Sequence, residues 1–125
     1  MANNFEYLEV WKECRMLRKD VSLLVKGFPI EEKFRLNDQL IRASRSVTAN
    51  IAEGHGRFHY QENTQFCRQA RGSLSEIVDH LICAFDEGYL TENHLIEFKV
   101  QIEKCMKLLN GYISFLQKQK NLVQS

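Results

Sequence analysis

Two clusters of side chains in this sequence are of a type that binds metal ions: His55, His59 and Glu62, and Glu76, His80 and Cys83. Two histidines four residues apart suit one ion when a helix presents them together, but Gly54 and Gly56 flank His55 and work against regular helix there. The second trio shares one helical face, with no further cluster to complete a coordination shell. A di-iron helical site needs Glu-x-x-His pairs, and no glutamate here has histidine three residues later. There is no P-loop, no G-x-S-x-G elbow, no S-x-x-K and no glycine-rich dinucleotide turn. Cys67, between Phe66 and Arg68, has no base that the sequence supplies and reads as a packed thiol. The expectation is a non-enzymatic protein with no metal and no cofactor.

The charges say more. The net charge of +1 conceals strong segregation. Residues 35 to 71 carry six arginines, Arg35, Arg42, Arg45, Arg57, Arg68 and Arg71, against Asp38, Glu53 and Glu62. Residues 72 to 103 hold seven acids against Lys99, and residues 104 to 125 hold four lysines and no acid. An Arg-rich strip repeated around an oligomer would multiply weak phosphate contacts into useful affinity for RNA or DNA. The same arginines could instead meet the acidic surface of a neighbouring subunit and set its register. Phe58, His59 and Tyr60 beside Arg57 offer stacking surfaces, or equally a hydrophobic staple at a helix start.

The elements that must position these residues follow from apolar spacing. Val10, Cys14, Leu17, Val21, Leu24 and Phe28 alternate steps of four and three. Leu40, Ser44, Val47 and Ile51 repeat the pattern, as do Phe66, Ala70, Ser73, Ile77, Leu81 and Ala84, and then Leu95, Phe98, Ile102, Cys105, Leu109, Tyr112 and Leu116. Helices are expected over about 8–26, 37–54, 60–87 and 92–119, with Asn37 and Thr91 as N-caps and Gly88 closing the third. Glu53 is expected to form a structural ion pair, and Gly54 and Gly56 to end the second helix. Four helices joined by short connections predict an all-α, antiparallel up-down-up-down bundle, one domain over 1–125. The longest apolar runs, such as "VSLLV", are far too short to span a bilayer. The N-terminus lacks the pattern of a secretory signal, so a cytoplasmic protein with unpaired, buried cysteines is expected.

Apolar residues also fall off these seams. Leu74, Val78, Ile82 and Phe85 make a second stripe on the third helix, and Leu108 and Phe115 lie off the seam of the fourth. A solitary bundle needs one buried stripe per helix, so these residues predict contacts in a homo-oligomer.

The stretches "QLIRASRSVTANIAEGHGR" (39–57), "ARGSLSE" (70–76) and "LEVWKECRML" (8–17), with "FP" and acids at 28–32, resemble the four-helix-bundle family encoded by intervening sequences in bacterial 23S rRNA genes. Arg42, Ala43, Ser46, Asn50, Ile51, Ala52, Glu53, Gly54, Gly56 and Arg57 follow that family's helix-two pattern; Gly72, Ser73, Leu74 and Glu76 follow its helix-three pattern. The resemblance implies a homopentameric ring without catalytic activity. A related protein, the accessory variability protein of diversity-generating retroelements, implies nucleic acid and a reverse transcriptase as partners. The expected function is thus a non-enzymatic oligomeric interaction protein that binds RNA or DNA, the alternative being a protein-binding scaffold.

Overall fold

The computed structural model describes residues 4–124; residues 1–3 and 125, the ends of the expected domain, lie outside it. Four helices carry the fold: α1 (Glu9–Val25), α2 (Leu36–Gly56), α3 (Tyr60–Asp86) and α4 (Glu92–Gln124). Single 3-10 turns at Phe5–Tyr7 and Ile30–Glu32 precede α1 and α2, and the described residues contain no strand.

The helix ends have local causes. Pro29 bars α1 from continuing, and Asn37 then closes it from the side: Asn37 Nδ2 donates to the Val25 carbonyl at 3.1 Å. Asn37 is therefore not the N-cap of α2, which begins at Leu36. The α2–α3 reversal also differs from expectation, because Gly54 and Gly56 both lie inside α2. The turn is made by Phe58, a non-glycine residue at φ 55°, and His59 caps α3 by accepting from the Glu62 amide at 3.3 Å. At the far end of α3, Gly88 takes φ 81° and the Tyr89 amide bonds the Ala84 carbonyl at 2.9 Å, a Schellman-type stop. Thr91 Oγ1 accepts from the His94 amide at 3.1 Å and opens α4, which continues past the expected 119 to Gln124.

One core runs through all four helices. Val10, Cys14, Leu17, Val21 and Val25 of α1 are buried, with Leu40, Val47 and Ile51 of α2 and Leu95 to Leu116 of α4 at steps of three and four. α1 packs on α2 and α4, and α3 packs on the same two. Polar contacts mark the register: Arg18 Nη1 to Thr48 Oγ1 at 2.9 Å, Gln101 Nε2 to Asp20 at 3.0 Å, Lys104 to Glu13 at 3.2 Å. Among the described residues, no helix is long and apolar enough to cross a membrane.

The second stripe of α3 needs correcting. Leu74 is 0% exposed and belongs to the core, alongside Cys67, Ala70, Ile77, Leu81 and Ala84. The buried arc of α3 is wide because the helix sits between α2 and α4, and Ser73 is turned to α2 instead. Val78, Phe85 and Leu108 are half-buried against the same core. Ile82 at 37% and Phe115 at 51% keep the exposure expected of them, joined by Met16 and Leu23 on α1 and Ile96 and Val100 on α4.

All four cysteines are unpaired; Cys14, Cys67 and Cys105 are buried, while Cys83 is exposed, contrary to expectation. Its hydrogen bond with Cys105, and then burial, push the Cys14 thiol up. Burial pushes Cys67 from its ordinary value of 9.0 to about 12. A thiol reagent at neutral pH is expected to modify Cys83 in the native protein and the other three only on unfolding. A raised folded-state value means that the unfolded chain releases these protons first, so stability is full below pH 9 and falls as pH rises toward about 12. Urea midpoints measured across that range should decrease monotonically.

Candidate nucleic-acid interface

The residues singled out on α2 and α3 meet along the line where these two helices touch. Asn50 Nδ2 donates to the Ser46 carbonyl at 2.9 Å and to Ser46 Oγ at 3.0 Å, and Ser46 Oγ lies 2.9 Å from Ser73 Oγ. These hydroxyls bridge the helices, a structural role. Gly54 is buried at the tightest point: a Cβ there would stand 2.7 Å from Asn63 Oδ1 and 2.9 Å from Phe66 Cβ. Glu53 is exposed and 3.5 Å from Arg57, so its ion pair is with Arg57 and is worth little in water. Glu76 bonds His80 at 3.2 Å and, with Arg42, Ser46 and Ser73, lines an open polar depression of about 490 Å³.

Next to Gly54 lies a polar node that periodicity passed over. Tyr112 of α4 accepts from Asn63 Nδ2 at 3.1 Å and stands 3.4 Å from His55 Nδ1, while the Cys67 thiol donates to Asn63 Oδ1 at 3.5 Å. Asn63 is buried, so each of its polar atoms needs these partners. Burial raises the Tyr112 hydroxyl above its ordinary value, opposed by the Asn63 bond. The node joins α2, α3 and α4, and burial keeps its Cys67 thiol and Tyr112 phenol protonated at neutral pH. A signal was present in the sequence: Tyr112 is the one phenol in the seam expected of the fourth helix.

The six arginines all reach solvent but do not make one strip. Arg35 stands just before α2, and Arg42 is 3.5 Å from Asp38. Arg45 lies toward α1, in a shallow depression with Trp11, Arg18 and Ala52. Arg57 sits 5.1 Å above the Phe66 ring. Arg68 and Arg71 belong to the α3–α4 side, where Arg71 Nη1 donates to Asn110 at 2.8 Å. Arg42 and Arg45 are about 60° apart round α2, Arg42 leaning to the α3 side and Arg45 to the α1 side. Among the described residues, no carboxylate pairs with Arg35, Arg45, Arg68 or Arg71. His55 and His59 are used locally, on Tyr112 and as the α3 cap. No group of three His, Cys, Asp or Glu among the described residues is placed to hold a metal ion.

Compared with known families, residues 6–111 match the family model described as 23S rRNA-intervening sequence protein. No curated protein matches the chain at a comparable level.

Gly54→Ala is expected to destabilise the protein by about 1–3 kcal/mol, because the methyl group meets a packed neighbour. Gly111→Ala, where the added methyl meets nothing within 4 Å, should instead stabilise by about 0.5–1 kcal/mol. Tyr112→Phe strands the Asn63 amide and should cost about 1–3 kcal/mol. Urea titrations of the three variants check all three signs.

Proposed function

The chain belongs to the 23S rRNA-intervening sequence protein family, and from that premise we propose that it is a non-enzymatic, self-associating protein that binds RNA or DNA through its arginines. The observation that carries the reading is the surplus of exposed, unpaired guanidinium groups at Arg35, Arg45 and Arg68 in a chain whose net charge is only +1. Phosphates are the partner for which such groups are best suited. A non-catalytic role is supported by the node at Tyr112, whose thiol and phenol stay protonated at neutral pH.

An antiparallel up-down-up-down order is supported by the sense of the contacts. Asp20 and Glu13 of α1 meet Gln101 and Lys104 of α4, and Ser46 and Gly54 of α2 meet Ser73 and Asn63 of α3. Self-association, in the five-membered ring that the resemblance implies, would cover Ile82, Phe115, Leu23, Ile96 and Val100. A cytoplasmic setting suits four cysteines left unpaired.

In an anisotropy titration with labelled RNA and DNA, affinity should fall about tenfold between 50 and 200 mM salt for every two phosphates neutralised. Absence of any salt-dependent binding would overturn the nucleic-acid reading. Recovery from the native host of a nuclease-resistant protein partner, such as a reverse transcriptase, would favour the scaffold instead. Light scattering at micromolar concentration should give a multiple of the 14.7 kDa chain mass, reduced by Ile82→Glu. A monomer mass for the unmodified protein would refute self-association.

A further inference from the structure

Two depressions run end to end between the start of α3 and the end of α4. The first, about 210 Å³, is lined by Phe58, His59, Tyr60, Gln61, Lys120 and Val123. The second, about 110 Å³, continues past Thr64, Gln65, Gln117 and Arg68, and the two share Gln61 and Lys120. Gln61, Thr64, Gln65 and Arg68 recur at i, i+3, i+4 and i+7, so one face of α3 forms a wall of the groove. From Phe58 to Arg68 the groove is about 12–15 Å long at 1.5 Å per helical residue.

Its chemistry is graded. One end is aromatic, with Phe58 exposed; the middle holds three side-chain amides; Lys120 and Arg68 supply cations along it. No acid occurs between Glu62 and Glu76 on α3, or anywhere from Lys104 onward on α4. Glu62 lies about 100° round the helix from Gln61, off the groove wall. The positive end of the α3 dipole adds to the field at the aromatic mouth.

Phe58 is also in a costly conformation. At φ 55° a glycine or asparagine would sit with less strain, yet a large apolar ring is held there and left in solvent. The core gains nothing from it.

We infer that this α3–α4 groove is a binding site for single-stranded nucleic acid. The inference rests on the nucleic-acid reading above and narrows it to one site and one form of ligand. Exposed rings offer sequence-tolerant stacking for unpaired bases, amides fit base edges, and the cations fit the phosphates between them. About four stacked bases at about 3.4 Å each match the groove length. A duplex keeps its bases paired and stacked inside, so it has no free base faces to offer the exposed Phe58 and Tyr60 rings. Gln117, Lys120 and Val123 lie beyond the residues that match the family model.

The test uses the intact protein with fluorescein-labelled 12-nucleotide oligo-U and oligo-dT, and a 12-base-pair duplex as competitor. The single strands should bind at least tenfold tighter than the duplex. Phe58→Gly should weaken single-strand binding by about fivefold or more, while leaving the thermal midpoint unchanged or raised by a few degrees. Arg68→Gln with Lys120→Gln should weaken it further and flatten its salt dependence, and Lys19→Gln, an exposed cation on α1, should leave it nearly unchanged. Equal or tighter binding of the duplex overturns the inference, as does single-strand binding that is insensitive to both groove variants but lost in Arg45→Gln. In those two outcomes the broader nucleic-acid reading survives. No binding of any oligonucleotide overturns both.

Discussion

The distance between α2 and α3 is the constraint on which the other contacts depend. It is set where Gly54 lets the α2 backbone come against Asn63 and Phe66, a separation that a single methyl group would violate. Small residues continue the approach upward through Ser46, Ser73, Ala43 and Ala70. At that spacing His55 and Asn63, on different helices, both come within reach of one hydroxyl on α4, and Arg57 settles over the Phe66 ring. Helix packing here does not merely bury apolar area. It also fixes where three helices exchange polar contacts in a water-poor interior, where a missing partner is costly.

Helix number and most of the seams of α1 and α4 were legible in the sequence because large apolar residues recur there at three and four, although Val25 and Ile113 take the buried positions expected of Leu24 and Tyr112. Reading α3 was harder. With neighbours on both flanks its buried arc spans Leu74 as well as Ile77 and Leu81, so hydropathy alone could not separate an inward stripe from an outward one. Gly54, Asn63 and Thr64 are buried without being apolar, which periodicity cannot register. Asn37 has the residue type of an N-cap but serves the end of the preceding helix. Phe58, read as a stacking ring or a staple, was missed as the turn residue because glycines two and four residues earlier looked like the natural place for the chain to turn. For the arginines, nearness in sequence suggested one strip, and the fold distributes them over several faces. The partial site at the α3–α4 edge was visible only as fragments: an aromatic cluster, an isolated Arg68 and a distant run of lysines.

Charge is arranged along α4 in the sense that suits the helix itself. Its three glutamates, Glu92, Glu97 and Glu103, all precede Lys104, Lys107, Lys118 and Lys120, with Lys99 among them, and Glu92 stands in the first turn, where the helix dipole favours it. The start of α3, with its positive dipole end, lies against the lysine-bearing half of α4. Tertiary structure thus brings Arg68 and Lys120, far apart in sequence, to one groove.

α4 spans 33 residues and α1 only 17, so one partner ends well before the other. Leu116 is the last buried side chain of α4 among the described residues. The turns beyond it form an arm about 12 Å long. Lys120 and Val123 ride on this arm, whereas Gln61, Thr64 and Arg68 are mounted on the anchored body. One wall of the intervening cleft is therefore backed by the close-packed interior, while the other continues past the last buried layer.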